Sequence, residues 1–125
     1  MTTPTESVYM VVQLNVKNHE KYIQRYASPV IAQLHKHGVE VLAVDAAPKV
    51  LEGTWSGNWT VVLRFPSKAV AESWYGSQEY RPLKSLRMNE LTTGGSVILV
   101  DAFDPASLGG KFAERSRTPL GTDDR

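Results

Sequence analysis

The residues able to do chemistry fall into an aromatic set and a charged pair. The aromatic set is Tyr22 and Tyr26, one helical turn apart, followed by Trp74, Tyr75 and Tyr80. The charged pair is Glu52, which stands between Val50-Leu51 and Gly53, and Arg87, seven residues beyond Tyr80 and therefore two turns on. An arginine beside an apolar helical stripe can hold a ligand carboxylate bidentately. A carboxylate at a strand end can serve as a general base at the rim of a pocket. Each also has a plainer reading. Glu52 can be an edge charge paired with a nearby base, since ion pairs perturb carboxylates far from any active site. Arg87 can simply pin its helix to Glu52. Aromatic side chains on helix faces are most often core, but a buried hydroxyl needs a partner, so some can point into a cavity and bond a ligand. The expected site therefore has Glu52 and Arg87 as catalytic groups and Tyr22, Tyr26, Trp74 and Tyr80 as substrate-binding walls.

Other chemistries find little support. His19, His35 and His37 are the only imidazoles, and no two are spaced i, i+4. His19 is expected exposed in a first helical turn, and His35 and His37 in a solvated last turn where the dipole favours a cation. No carboxylate cluster joins them, so neither a metal site nor a bound cofactor is expected. There is no cysteine, which removes disulfides, thiolate ligands and thiol nucleophiles. No serine sits in a Gly-x-Ser-x-Gly turn, and Gly94-Gly95 lacks the lysine of a phosphate loop. With 14 basic and 13 acidic residues the chain offers no basic field for nucleic acid or an anionic membrane. The opening MTTPTES lacks the basic and apolar regions of a signal peptide. No apolar run approaches the ~20 residues of a membrane span. A cytoplasmic location follows as the expectation.

The elements that must position these residues are legible from period and punctuation. Val8 to Val16 alternates as a strand, with Met10, Val12, Leu14 and Val16 on one face and Tyr9, Val11, Gln13 and Asn15 on the other. Asn18 is a candidate N-cap for a helix to His37, along which Tyr22, Ile23, Tyr26, Val30, Ile31 and Leu34 form an amphipathic stripe. Pro29 should bend or break that helix, and Gly38 is its natural C′ residue. Further strands are expected at 39–44 and 59–65, with extended structure resuming at 49–52 before a turn at 53–58. Pro66 ends the strand at Phe65, Ser67 caps a helix and Gly76 can stop it in the left-handed region. Ser77 opens a second helical piece with Pro82 early in it. Residues 92–96 are expected to be loop and 97–103 the last strand. The globular domain is read as 8–103, between a flexible 1–7 and a polar tail, 104–125, either disordered or laid on a partner.

Strand, helix, strand, strand, helix, strand is the split βαβ order. It gives an α+β, ferredoxin-like βαββαβ domain: a four-stranded antiparallel sheet with both helices on one face. The opposite face would carry Tyr9, Val11 and Val62, with Ile98 and Val100 beside them. An apolar patch of that breadth marks an interface, and pairing with a second copy would bury it.

An ordered set of residues adds to this reading. It comprises Tyr22, Tyr26, Gly38, Val50-Leu51-Glu52-Gly53, Phe65-Pro66-Ser67, Ala71, Trp74-Tyr75, Ser77, Glu79-Tyr80, Leu83 and Arg87. In this set, covering roughly 8 to 103, the chain resembles the bacterial domain-of-unknown-function family 1330, within the dimeric α+β barrel superfamily. The resemblance implies a homodimer whose sheets face each other, and no particular reaction. Related barrels include muconolactone isomerases, cofactor-free monooxygenases and polyketide cyclases, and fold analogy does not choose among them. One position departs from the family, which has an acidic residue just before Phe-Pro-Ser where this chain has Arg64.

Three functions are expected in order. The first is a cofactor-free enzyme doing isomerase, cyclase or decarboxylase-type proton transfer on a small carboxylated or phenolic compound. The second is a non-catalytic ligand-binding or dimerisation module. The third is a cofactor-free monooxygenase.

Overall fold

The computed structural model describes residues 6–106. The chain runs β1 (Val8–Val16), α1 (His19–Tyr22), a π-helical turn (Ile23–Ala27), α2 (Ser28–Lys36), β2 (Glu40–Asp45), β3 (Trp59–Phe65), α3 (Lys68–Tyr75), α4 (Arg81–Leu86), a second π-helical turn (Arg87–Leu91) and β4 (Thr92–Asp101). The strands form one antiparallel sheet in the order β2-β3-β1-β4. This is the expected ferredoxin-like α+β architecture. The expectation for the tail beyond residue 106 lies outside the described residues.

Period two decides which side of the sheet each residue serves. Val8, Met10, Leu14 and Val16 are buried on the helix side, and Leu63 and Phe65 join them from β3. Register pairs Met10 with Leu63 and Leu99, and Val12 with Val61 and Val97, so these share that face. Tyr26, Val30 and Leu34 from the first helical layer and Ala71, Trp74, Tyr80 and Leu91 from the second complete the core.

The first helix begins at the expected cap. Asn18 accepts a hydrogen bond from the Lys21 N–H through its side chain, at 3.0 Å. It ends at Gly38, whose φ of 76° is the left-handed value that a Cβ would resist, and Val39 donates back to the Leu34 carbonyl. Pro29 does not break the helix. The five residues before Ser28 widen into a π turn, in which Ser28 N–H reaches back to the Ile23 carbonyl. The local change is confined to this turn, which accommodates the missing proline N–H while the residues on both sides of it stay helical.

Three other expectations are corrected. Residues 49–52 form no strand; they belong to an irregular connection between β2 and β3, where Pro48 has no N–H to lend a ladder and Leu51 is 84% exposed. Residues 92–96 are not loop but the first half of β4. Gly95 makes that pairing possible: a Cβ there would stand 2.2 Å from the Gln13 carbonyl oxygen. Gly76 follows α3 with φ −95°, outside the left-handed region. Ser77 closes that corner instead, its hydroxyl donating to the Trp74 carbonyl at 2.7 Å and accepting from the Tyr80 N–H at 3.2 Å.

One irregularity shapes the free edge of the sheet. Val41 pairs with Leu63 and Ala43 with Val62, so Leu42 is an extra residue, a β-bulge. Beyond it Val44 pairs with Val61. Val41 and Val44, three apart, therefore both face the helices.

Candidate functional site

A cavity of about 200 Å³ lies between the helical layer and the sheet. Its floor is Met10, Val12, Val61 and Leu63, and its walls include Tyr22, Tyr26, Trp74, Tyr75, Tyr80 and Arg87. Five of the six residues singled out by sequence thus meet at one place. The stripe of the first helix brings Tyr22 and Tyr26 there. Their ring centroids are 5.0 Å apart, and Tyr22 meets Trp59 edge-on at 5.5 Å.

The second helical layer supplies the opposite wall. Trp74 and Tyr80 pack with centroids 4.1 Å apart. Gln33 fixes the indole: its side-chain oxygen accepts from Trp74 Nε1 at 2.9 Å, and its amide nitrogen donates to the Glu79 carbonyl at 2.9 Å. The Glu79 carboxylate in turn bonds Lys36 Nζ at 2.8 Å and His37 Nε2 at 2.9 Å, which hold it below the ordinary carboxylate pKa. His37 is accordingly not a free end-of-helix imidazole. His19 is half-buried rather than exposed, 5.4 Å from Trp59 ring to ring and 3.1 Å from the Asn58 carbonyl oxygen. Neither histidine lines the cavity.

Arg87 is the polar centre. It opens the second π turn and is only 6% exposed. Its Nη2 lies 3.4 Å from the Tyr75 hydroxyl, and its guanidinium sits 5.9 Å from the Tyr26 ring centroid. Among the described residues no carboxylate pairs with it. Burial works against the charged guanidinium, yet the hydroxyls of Tyr80 and Tyr26 outweigh that and leave its pKa above the ordinary value. The Tyr26 and Tyr80 hydroxyls are 2.5 Å apart. Burial lifts Tyr22 and Tyr26 well above the ordinary tyrosine range, and the nearby Arg87 charge offsets this only in part. The Tyr22 hydroxyl has no hydrogen-bond partner among the described residues, although its side chain is buried.

Glu52 is not brought to the site. It lies on the exposed β2–β3 connection, away from the cavity walls and unpaired with Arg87. The apolar Val50-Leu51 that suggested a strand end faces outward, so the segment has nothing to anchor it across the sheet. In its place sequence reasoning missed Ile23, Ile31, Val41, Val44 and Trp59, all of which line the cavity. Ile23 and Ile31 were visible on the helical stripe, and Trp59 shares the strand parity of Val61 and Leu63. Val41 and Val44 were hidden by the bulge. Tyr75 borders the cavity and also a more open cleft between α3 and β4.

A cavity with apolar walls, one unneutralised cation and a group of tyrosine hydroxyls can receive a small flat anion. No group of three or more His, Asp or Glu side chains among the described residues could hold a metal ion. No described helix is long and apolar enough to cross a membrane.

Fold and cavity together define a ferredoxin-like α+β protein with a chamber between its helices and its sheet. The profile of the family described as Domain of unknown function (DUF1330) matches residues 7–103, and the chain belongs to that family. Among curated proteins none matches it in sequence. Several solved structures share the fold, among them the following three. A protein of unknown function from Rhodopseudomonas palustris superposes with a TM-score of 0.66 at 12% identity, over 81% of this chain and 85% of that one. A dimeric protein of unknown function and ferredoxin-like fold from Bacteroides fragilis gives 0.52 at 10% identity, over 81% and 99%. A Bacteroides thetaiotaomicron protein provisionally named an antibiotic biosynthesis monooxygenase gives 0.51 at 13% identity, over 82% and 93%.

Proposed function

We propose that this protein binds a small, flat, apolar anion, a carboxylate or a phenolate, with Arg87 as the anchor and Tyr22, Tyr26, Trp74 and Tyr80 as the walls. The observation that carries the reading is a buried guanidinium without a carboxylate partner among the described residues, at the wall of an otherwise apolar cavity. A buried unpaired charge is costly, so a site that keeps one is suited to a partner that arrives from outside. Size agrees: an apolar cavity of roughly 150 Å³ takes benzene, so about 200 Å³ suits a ring with a carboxylate or hydroxyl.

Binding is the primary activity in this reading. Proton-transfer catalysis on the same ligand is the second, favoured by the close Tyr26–Tyr80 hydroxyl pair beside a cation, which can deliver a proton to a developing oxyanion. Glu52, which does not line the cavity, is not the base in it. The working unit in this reading is a homodimer through the outer sheet face, and it works in the cytoplasm; the Bacteroides fragilis protein of the same fold is dimeric.

Titration calorimetry with benzoate, 4-hydroxybenzoate and the neutral benzyl alcohol tests the anchor. The anions are expected to bind the wild type more tightly than the alcohol does. Arg87→Met should weaken the anions by about 1.5–3 kcal/mol, the worth of hydrogen bonds to a charged group, without lowering the melting temperature, because an apolar side chain of similar length replaces an unpaired charge. Equal benzoate affinity in wild type and Arg87→Met would end the reading.

A further inference from the structure

We infer that the ligand is an amphipathic acid: its head group sits against Arg87, and an apolar tail leaves the cavity between the first helix and β2. This rests on the anion site proposed above and adds the chemical class of the rest of the molecule.

The lining of the cavity is graded in exposure. Arg87, Tyr80, Trp74 and Tyr26 are buried, between 2% and 7% exposed. Four other lining residues are not. Ile23, Ile31, Val41 and Val44 line the same cavity and are 41% to 48% exposed. They mark where the chamber opens. Two come from the first helical layer and two from the edge strand, so both lips of the opening are branched aliphatic.

This arrangement is specific. Ile23, Ala27 and Ile31 step by four along the helix beside the buried Tyr22, Tyr26 and Val30, and all six line the cavity. On the sheet side, strict alternation would turn only one of Val41 and Val44 inward. The bulge at Leu42 turns both inward, since Val41 pairs with Leu63 and Val44 with Val61. A compact water-soluble acid that fits wholly inside has no use for such lips, and polar side chains there would leave less apolar surface in water. A longer acid uses them. Its ring and carboxylate fill about 200 Å³, and the following methylenes lie across four exposed aliphatic side chains and remove both surfaces from water.

The full-length protein titrated with 4-n-alkylbenzoates from methyl to hexyl, below their aggregation concentrations, tests this. Affinity should rise about two- to four-fold per methylene, the range set by partial to full burial of each group. Ile31→Ser and Val44→Ser, both at exposed positions that leave folding intact, should compress that slope. Arg87→Met should instead lower the whole series by a common factor. Benzoate binding that depends on Arg87, with flat or falling affinity along the series, would overturn the tail channel and leave the anion site standing. Slopes unchanged by Ile31→Ser and Val44→Ser would overturn it as well. No binding anywhere in the series would overturn both.

Discussion

Leu63 and Val62 are neighbours in one strand, yet they live in different worlds. Leu63 is buried under the helices, while Val62 is half-exposed on the other side of the sheet with Tyr9, Val11, Ile98 and Val100. The inner face is closed by two helical layers and still keeps a chamber. The outer face has no covering element among the described residues, and its charges are settled locally: Arg64 pairs across the strands with Glu40. The contrast teaches that polarity alone does not mark the site. The inner cation is uncompensated among the described residues and so calls for a ligand. The outer cation already has its carboxylate, and what that face lacks is cover for its apolar side chains.

The contrast can be broken at three points. The largest effect on folding is expected at Phe65, which is wholly buried beneath Trp74, with ring centroids 5.9 Å apart. Phe65→Ala should cost about 3–5 kcal/mol by denaturant titration, as large cavities in well-packed cores do. A loss below 1 kcal/mol would show that the inner face is looser than its burial implies.

A smaller effect separates hydroxyl from ring on that same face. Burial raises the Tyr22 and Tyr26 pKa values above those of the unfolded chain. Such groups hold their protons longer when folded, so the stability they contribute is complete below about pH 10 and is lost as pH rises beyond it. Tyr26→Phe should cost about 1 kcal/mol at neutral pH, through the lost bond to Tyr80. It should also make the alkaline fall in stability shallower by about one proton. An unchanged alkaline slope would mean that Tyr26 ionises as readily folded as unfolded.

The outer face should respond in the opposite sense. Val62→Glu is expected to leave the far-ultraviolet circular dichroism and the secondary structure intact while converting the proposed dimer to monomer in sedimentation velocity. A Val62→Glu protein that sediments as the wild type would remove the outer face as an interface.

How much of this was legible beforehand depended on the kind of signal. The face of each strand residue follows from period two, so Met10, Leu14, Leu63 and Phe65 could be placed from sequence. The helix limits at Asn18, Gly38 and Ser67 could be placed from their caps. Tyr22, Tyr26, Trp74, Tyr80 and Arg87 came together because helical period and strand order fix which faces meet. What escaped were single-residue irregularities. A π turn adds one residue to a helix without changing its composition, so nothing in Ile23–Ala27 or Arg87–Leu91 announces one. Leu42 looks like any strand residue, and its displacement is visible only against β3. Glu52 was misplaced for a different reason: two aliphatic residues before it imitate a strand end, but on a long irregular connection they meet no partner strand. Gly94 and Gly95 suggested a loop, whereas Gly95 is there because β4 passes too close to β1 for any side chain.

The bulge at Leu42 has a consequence for the protein in a crowded cell. β2 is a free edge of the sheet, and an unbroken edge is a template onto which another chain can add a strand. An out-of-step residue in the middle of a six-residue edge spoils that template, because no incoming strand can match the donors and acceptors on both sides of it. Deleting Leu42 would restore the regular ladder. Val41 and Val44 would then stand two residues apart and still face the helices, so the edge would become adhesive while the mouth kept both valines. Resistance to strand addition thus rests on one residue that the sheet could lose without turning either lip valine away from the cavity.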